Sequence, residues 1–348
     1  MSAKDERTGR PTSPTAPLGR VPEGPSGDVA GQAHGKAILT GEHFVVWGGT
    51  ALAIPLTEAH LTVTLHHSPA QRNRLVVDGD DPGGLQLQAA RLGMRKLRTD
   101  RHHAVRVEVS ADFPPMSGLG YSAAFSVAFC RAVARLQELP DAEDRVAQVA
   151  LDMEHIFHAR PSGIDSTTVA FDAPCFVKTG ESFAVRNGDA AGAHGPMAGF
   201  LDVAPGGVFL LADSSERSST RRVIEKVSKL LKRPRGDLVL QRLTAVSESI
   251  SLQAAAALRK GDFEFVGNLL DENHCLLTGL GVSTPRLDAL CRAAVRGGAY
   301  GAKLTGSGLG GFVLCVLAPD RLASVRKALA REGVDRFLVQ RTDDFCAS

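Results

Sequence analysis

Short runs of β-branched and aromatic residues, separated by turns that contain glycine, mark the chain from about residue 30 onward. The runs KAIL, FVVW and HLTVTLH, between Gly35 and His66, predict an early meander of strands. Two more strands are predicted at 72–77 and 105–109, on either side of a helix over 84–98. These local connections indicate a mixed sheet.

Helical spacing follows after a glycine-rich turn. Small and apolar residues occupy nearly every position from Ser122 to Leu136, which predicts a helix that is buried on all sides. A second helix should begin at Asp141, a favourable N-cap residue. It should end before Pro161, because the residue before a proline disfavours helical angles.

The later part of the chain has a different rhythm. A strand at Val208–Ala212 opens it, and helices then alternate with strands. The helices are predicted at about 216–231, 240–260, 263–278 and 285–296, and the strands at 311–317 and 336–342. The change predicts one domain over 30–205 and another over 206–348. Two domains are also expected because 348 residues exceed the usual size of one core.

The first 29 residues have a composition of their own. Five prolines between Pro11 and Pro25 alternate with serine, glycine and charged residues, so we expect residues 1–29 to form a disordered tail. The tail lacks the apolar centre of a signal peptide. No run in the chain approaches the ~18 apolar residues that would span a bilayer. We therefore expect no membrane association.

Charge and cysteine usage narrow the class of protein further. The 40 Lys and Arg nearly balance the 38 Asp and Glu, which gives no support for a nucleic-acid partner. The six cysteines lie singly within or beside apolar runs, without a C-x-x-C pair or a cluster with histidine. We interpret most of them as core residues in a reducing, cytoplasmic compartment rather than as disulfides or zinc ligands.

A glycine-rich turn, Phe113-Pro-Pro-Met-Ser-Gly-Leu-Gly-Tyr-Ser-Ala-Ala, precedes the buried helix. Its glycines allow the backbone to approach a ligand, and a helix N-terminus presents free amide groups at the positive end of the helix dipole. The segment therefore suits a polyphosphate, although a Gly-x-Gly before a helix can also be a plain turn. The pattern G-x-x-x-x-G-K-[ST] is absent from it, which excludes a P-loop.

Two carboxylates flank the turn that follows the second helix. Glu154 lies in the helix and Asp165 follows Pro161-Ser-Gly-Ile, so a reversal of the chain could bring both near the glycine-rich turn. One could then hold Mg²⁺ while the other accepts a proton. The alternative is that Glu154 is a solvated helix residue and Asp165 a turn or cap former.

Two further segments carry candidate chemistry. Lys36 opens a strand and could stabilise a developing alkoxide, and Glu42 and His43 in the next turn could bind polar groups of a substrate. A lone lysine at a strand edge could equally lie on the surface. The segment from Lys303 to Gly311 is rich in glycine, so it either allows close backbone approach to a ligand or forms a plain loop.

In this order and spacing the four segments resemble the motifs of the GHMP kinases, a family of galactokinase, homoserine kinase and mevalonate kinase relatives. The resemblance extends from about Ala33 to the C-terminus. Gly41-Glu-His-Phe-Val-Val-Trp-Gly resembles the G-E-H-x-V-V-x-G of the mevalonate kinase branch, and the spacing from Glu154 to Asp165 is also similar to that branch. The segment that begins at Asn273 also resembles that branch.

The resemblance implies an α+β, two-domain GHMP kinase fold. Its N-terminal domain would be like ribosomal protein S5 domain 2 and its C-terminal domain ferredoxin-like, with ATP in the cleft between them. The implied activity is phosphorylation of mevalonate by ATP with Mg²⁺ in isoprenoid precursor synthesis. The chain could also form a homodimer.

The resemblance also implies roles for single residues. Asp165 would be the catalytic base, Lys36 would activate the substrate hydroxyl, and Ser122 and Glu154 would hold Mg²⁺. The phosphates would be cradled by consecutive residues of the turn and helix: Ser117, Gly118, Leu119, Gly120, Tyr121, Ser122, Ala123 and Ala124. The substrate would be bound by Lys36, Glu42, His43, Asp165 and Thr305.

This chain departs from the family pattern at two positions. Tyr121 stands where serine is usual and Leu309 where glycine is usual, so both are expected to place bulk beside the ligand. We expect the ring of Tyr121 to swing towards the neighbouring domain or the solvent. Loss of turnover through these two residues would leave an ATP-binding relative without catalysis.

A second alternative keeps catalysis and changes the substrate. The chain could be another GHMP kinase, such as one that acts on phosphomevalonate. Such an enzyme needs extra cations for the substrate phosphate, which Arg217, Arg221 and Arg222 could supply.

Overall fold

The computed structural model describes most of the chain. The described residues are 28–67, 75–79, 81–98, 105–140, 142–179, 197–218, 223, 227, 232 and 234–345. Several predictions fall outside them: the tail up to residue 27, the start of the strand at 72–77, the N-cap at Asp141 and most of the helix at 216–231. No helix within the described residues is long and apolar enough to cross a membrane.

Ten strands and eight α-helices occur in the described part of the chain. The strands are β1 Val29–Thr40, β2 Thr50–His67, β3 Leu75–Val77, β4 Val105–Ala111, β5 Cys175–Lys178, β6 Met197–Phe200, β7 Val208–Asp213, β8 Gly301–Leu304, β9 Phe312–Leu317 and β10 Phe337–Arg341. The helices are α1 Leu85–Lys96, α2 Tyr121–Leu136, α3 Glu143–Phe157, α4 Ile164–Phe171, α5 Gly236–Lys260, α6 Phe263–Gly279, α7 Pro285–Arg296 and α8 Leu322–Arg331.

The first sheet is organised around β2. This strand pairs with β1 along one edge, and its other edge is shared between β4 and β5. Only the pairing of β3 with β4 is parallel, so the sheet is mixed as the sequence predicts. Helix α2 packs on β1 and β2 and is buried over almost its whole length, from Ala123 to Ala134, which confirms the prediction of a buried helix.

The run FVVW does not form the predicted strand. Phe44–Trp47 is a 3₁₀ helix, entered through His43 at φ 65° and left through Gly48 at φ 91°. Both residues adopt left-handed backbone angles that an extended strand does not allow. The apolar side chains still serve the core, because Phe44 and Val45 are buried.

The second sheet is antiparallel, in the order β10-β7-β9-β8, and both of its faces are covered. Successive side chains of a strand point to opposite faces. In β7, Phe209 and Leu211 accordingly join the cluster shared with the first sheet, whereas Val208 and Leu210 join a cluster packed with α7 and α8. A strand buried on both faces reads as a continuous apolar run, which is why the sequence locates β7 and β9 well.

The two sheets belong to the two halves of the chain. Strand β6 completes the first sheet and β7 enters the second, so the change of sheet lies between Phe200 and Val208. The domain boundary at about residue 205 remains a prediction. The first hydrophobic cluster crosses this point, since it includes Ile250, Leu269 and Phe312 as well as the residues of β1 and α2.

Free cysteines fit the predicted core role in most cases. Cys130, Cys175, Cys291 and Cys315 are buried and unbonded to one another, whereas Cys275 is exposed. Burial raises the pKa of the Cys175 and Cys315 thiols to about 12, so these two remain protonated and unreactive at neutral pH.

A buried ion pair joins the two halves of the fold. Lys303 of β8 is fully buried, and its ammonium group contacts the carboxylate of Glu42 and the carbonyl oxygen of Ile38, the latter at 3.2 Å. The other Glu42 oxygen accepts a hydrogen bond of 3.0 Å from the amide of Asn273. Removing one member of such a pair leaves an uncompensated buried charge.

We predict that Lys303→Met lowers the free energy of unfolding by about 3–5 kcal/mol, the usual cost of stranding a buried partner. The double variant Glu42→Gln/Lys303→Met should recover much of that loss, because no charge remains buried. Chemical denaturation would measure both. A matched control is Arg296→Met, which breaks the exposed pair with Glu332 and should cost no more than about 1 kcal/mol. Equal losses in the single and double variants would contradict the prediction.

Candidate active site

The glycine-rich turn before α2 is held by β1. The backbone N–H of Lys36 donates to the carbonyl oxygen of Leu119 at 2.9 Å, and the Lys36 ammonium group donates to that of Gly118 at 3.3 Å. A side chain at Gly120 would lie 2.8 Å from Cε of Lys36, so this position requires glycine. The sequence therefore brings Lys36 directly under the predicted phosphate loop.

The second glycine-rich loop, between β8 and β9, packs against the first. A Cβ atom on Gly306 would lie 2.6 Å from Cα of Gly118, a distance that real Cβ atoms do not adopt. Gly306 also has φ 81° and Gly118 φ 84°, angles that favour glycine. The two predicted loops thus meet backbone to backbone in one place.

Free polar groups remain at the helix N-terminus. The hydroxyl of Ser117 is buried and has no hydrogen-bond partner among the described residues. Because an unsatisfied buried hydroxyl is costly, this group suits an added acceptor such as a phosphate. Ala124 differs from the prediction, since its backbone N–H already donates to the carbonyl oxygen of Gly120 within the helix at 2.8 Å.

Asp165 lies in the first turn of α4, where the chain has reversed as predicted. Its carboxylate is 3.1 Å from the ammonium group of Lys36. Lys36 is almost fully buried, whereas the Asp165 side chain keeps 24% of its surface exposed. The pair therefore has one buried cation and one carboxylate that a bound molecule can reach.

Glu154, in the last turns of α3, is the second carboxylate of the site and forms its acidic corner together with Asp165. Its side chain is buried, and the pKa of its carboxyl group is raised to about 8, first by burial and then by the negative charge of Asp165. Lys36 and hydrogen bonds from Ser166 act in the opposite direction. The sequence prediction that these two carboxylates come together is matched by this geometry, and the solvated alternative for Glu154 is not.

His158 is a member of the site that the sequence motifs do not single out. Its Nε2 lies 3.2 Å from the hydroxyl oxygen of Ser122, which occupies the first turn of α2. Burial lowers the pKa of His158, so the neutral ring is favoured at neutral pH. The Glu154-x-x-x-His158 spacing places both side chains near the end of one helix, and this is the only sequence signal for it.

The donor set at this corner fits a magnesium ion. Ser122 and Glu154 offer hard oxygen atoms of the kind that Mg²⁺ prefers. Burial and the charge of Asp165 raise the pKa of Glu154, so a cation bound there would favour its ionised form. No group of three or more His, Cys, Asp or Glu with metal-ligand geometry occurs among the residues that the structure describes. Mg²⁺ is commonly bound by one or two protein oxygen ligands together with substrate phosphates.

Three of the predicted substrate residues already have partners within the protein. His43 lies where the turn after β1 meets the loop between β8 and β9, and its Nε2 is 2.9 Å from the carbonyl oxygen of Ser307. Burial lowers the pKa of His43 to about 4. The hydroxyl of Thr305 is buried and already exchanges two hydrogen bonds with the backbone of Ile38. Both Glu42 oxygens are engaged by Lys303 and Asn273. For Glu42 and Thr305 the geometry favours a supporting role over the predicted direct contact with substrate.

Tyr121 and Leu309 each pack on a hydrophobic cluster. The Tyr121 ring contacts Phe113 edge to face, with centroids 5.8 Å apart, and the residue stays partly exposed. Apolar burial explains this orientation. Leu309 has φ 57° and packs on the cluster formed by α7 and α8.

Of the arginines proposed for a substrate phosphate, the structure describes Arg217 alone. Arg217 forms two hydrogen bonds with the carboxylate of Asp213, at 2.6 and 2.7 Å, and Asp213 is buried. Its guanidinium group is therefore already paired. Arg221 and Arg222 lie outside the described residues.

Comparison with known proteins identifies the class. The family model described as GHMP kinases N terminal domain matches residues 85–172, and that of GHMP kinases C terminal matches residues 254–335. A mevalonate kinase of Aeropyrum pernix is 30% identical over 301 residues, covering 81% of this chain and 86% of the relative. One from Pyrococcus horikoshii is 27% identical over 332 residues, covering 88% and 93%. The chain therefore belongs to the GHMP kinase family, and it is a kinase.

Solved structures share this fold. The crystal structure of L. major mevalonate kinase in complex with R-mevalonate superposes with a TM-score of 0.74 at 27% identity, covering 90% of this chain and 96% of that one. A Streptococcus pneumoniae phosphomevalonate kinase in complex with phosphomevalonate and AMPPNP reaches the same TM-score at 16% identity, covering 90% and 99%. The second match shows the common two-domain fold alone.

We predict that Tyr121→Ser lowers the free energy of unfolding by about 1–3 kcal/mol, because it removes an aromatic pair and its buried apolar area. Tyr121→Phe keeps the ring and should stay close to the original stability. The KM for ATP should change little in either variant, since both substitutions keep the backbone amide of residue 121 at the N-terminus of α2. Denaturation curves and nucleotide kinetics would test this. A selective rise in the KM for ATP with unchanged stability would show that the ring faces the nucleotide.

Proposed function

We propose that this kinase transfers the γ-phosphoryl group of ATP to the hydroxyl group of mevalonate, with Mg²⁺ as its metal cofactor, in isoprenoid precursor synthesis. The observation that carries the proposal is the contact of Lys36 with both Asp165 and the loop at the N-terminus of α2. It puts a base and a cation beside the expected position of the γ-phosphate. The mevalonate kinases among the relatives support the substrate.

The chemistry needs one proton acceptor and one fixed positive charge. Asp165 takes the proton of the substrate hydroxyl, and the oxygen forms a bond to the γ-phosphorus while the bond to ADP breaks. The ammonium group of Lys36 stabilises the negative charge that develops on the attacking oxygen. Positioning and charge neutralisation supply most of the rate in such transfers, and these two side chains contribute to both.

The phosphate and cation sites follow from the first turn of α2. The loop from Ser117 to Gly120, with the amides of Tyr121, Ser122 and Ala123, receives the ATP phosphates. Ser122 and Glu154 would hold Mg²⁺, which supplies charge neutralisation between the β- and γ-phosphates when bound. The hydrogen bonds from Ser166 to Glu154 orient its carboxylate.

His43 is the proposed contact for the substrate beyond the reacting hydroxyl, with Glu42 and Thr305 as supports for the turn that carries it. Because the pKa of His43 is lowered to about 4, its ring is neutral and binds as a hydrogen-bonding group rather than as a cation. A neutral histidine and a paired Arg217 favour mevalonate over its phosphorylated form. The cytoplasmic location and the homodimer remain predictions.

The substrate is tested by measuring ADP release with a panel of small alcohols that includes mevalonate, phosphomevalonate, galactose and homoserine. Mevalonate should give the highest kcat/KM. A preference for phosphomevalonate would favour the related kinase instead. Tight ATP binding without product from any alcohol would identify a catalytically impaired relative.

We predict that Asp165→Asn and Asp165→Ala each lower kcat by at least ~10², the lower range for loss of a general base. The affinity for ATP should change little, because Asp165 contacts the substrate side of the site. Steady-state kinetics and nucleotide binding would measure the two effects separately. Near-normal turnover in both variants would remove Asp165 from the role of base.

We predict that Glu154→Gln raises the Mg²⁺ concentration required for half-maximal activity, because the variant loses a charged oxygen ligand. The amide keeps the size of the side chain, so the fold should be preserved. Glu143→Gln, at a partly exposed position in the first turn of the same helix, is the matched control and should have no effect. An unchanged Mg²⁺ requirement in Glu154→Gln would count against the cation site.

A further inference from the structure

His158 closes the helix that supplies Glu154. It is the C-cap residue of α3, and its backbone N–H donates to the carbonyl oxygen of Glu154 at 2.8 Å. The same turn therefore fixes the backbone of a carboxylate and of an imidazole. From this position the ring reaches Ser122 on the neighbouring helix, with 3.2 Å between Nε2 and Oγ.

The hydrogen atom of the Ser122 hydroxyl decides what its oxygen can bind. A serine hydroxyl has one hydrogen to donate and two lone pairs that accept a hydrogen or bind a cation. The neighbouring Ser126 hydroxyl donates to the backbone carbonyl of Ser122, at 2.8 Å, so it does not occupy the side-chain oxygen. In the tautomer that carries its proton on Nδ1, His158 accepts the hydroxyl hydrogen at Nε2, and both lone pairs of the Ser122 oxygen then point away from the ring.

We propose that His158 is a positioning residue for the divalent cation: it accepts the Ser122 hydroxyl hydrogen and so turns the Ser122 lone pairs towards the ion held with Glu154. The inference rests on the proposed function, because it takes Ser122 as a cation ligand. His158 acts through Ser122 and is not itself a ligand. Residues that orient metal ligands in this way typically change metal affinity by 10–100-fold when they are replaced.

Two amide variants separate this role from simple packing. The side-chain amide of Gln reaches about as far as Nε2 of histidine, whereas that of Asn reaches only as far as Nδ1. His158→Gln should therefore keep an acceptor for the Ser122 hydroxyl, and His158→Asn should lose it. His155→Asn, at an exposed position of the same helix, is the matched control.

The test measures binding and needs no turnover. The dissociation constant of ATP is determined without and with Mn²⁺ in the absence of any alcohol. The ratio of the first constant to the second reports how firmly the protein holds the cation, and a larger ratio means firmer binding. We expect His158→Asn to reduce that ratio by about 10-fold or more. His158→Gln and His155→Asn should retain it, with melting temperatures unchanged. Equal ratios in the Asn and Gln variants would overturn the proposal.

Ser122→Ala distinguishes failure of the inference from failure of the proposed cation site. If Ser122→Ala and His158→Asn both lower the ratio, and the double variant is no worse than Ser122→Ala alone, the two residues act as one unit. If only Ser122→Ala lowers it, the cation site stands and the role of His158 is refuted. If Ser122→Ala leaves it unchanged, Ser122 is not a ligand, and both the cation site as drawn and the inference fail.

Discussion

The active site depends on one buried ammonium group, that of Lys36. Its backbone N–H and its side chain hold the carbonyl groups of the phosphate loop, and the same ammonium group contacts Asp165 at 3.1 Å. It also lowers the pKa of Glu154, against the effects of burial and of Asp165. One positive charge therefore acts on two carboxylates. In the proposed function, a divalent cation that enters with ATP would add positive charge at this place.

The two glycine-rich loops meet at Gly118 and Gly306, and this joint between the two halves of the chain keeps the arrangement in place. Backbone contact between Gly118 and Gly306 leaves no room for side chains, so the two loops have a single register. The pair of Lys303 and Glu42 also connects the two halves, and both of its side chains are buried. A buried ion pair adds little net stability but penalises wrong arrangements strongly. The pair thus specifies how the halves meet more than it strengthens their contact.

Sequence reasoning located the elements and motifs that have local signals. The helices α2, α6 and α7 have clear local signals in the sequence, and the glycine spacing indicates the loop before α2. Sequence reasoning failed where a residue distant in the chain determines the position of a side chain. Glu42 pairs with a lysine 261 residues away, and Tyr121 turns towards Phe113 because an apolar surface is there to receive it. The prediction of a strand for the run FVVW was wrong, because the backbone angles of His43 and Gly48 determine its conformation and its hydrophobicity does not.

Three of the eight non-glycine residues with positive φ in the described chain lie around the same joint. His43, Met116 and Leu309 adopt left-handed angles with φ of 65°, 57° and 57°, and such conformations cost non-glycine residues about 1–3 kcal/mol each. His43 is held by the carbonyl of Ser307, and the backbone N–H of Leu309 donates to that of Val282 at 2.7 Å. The left-handed angle at Leu309 also directs its side chain into the cluster of α7 and α8. Apolar contacts with that cluster therefore offset strain at Leu309.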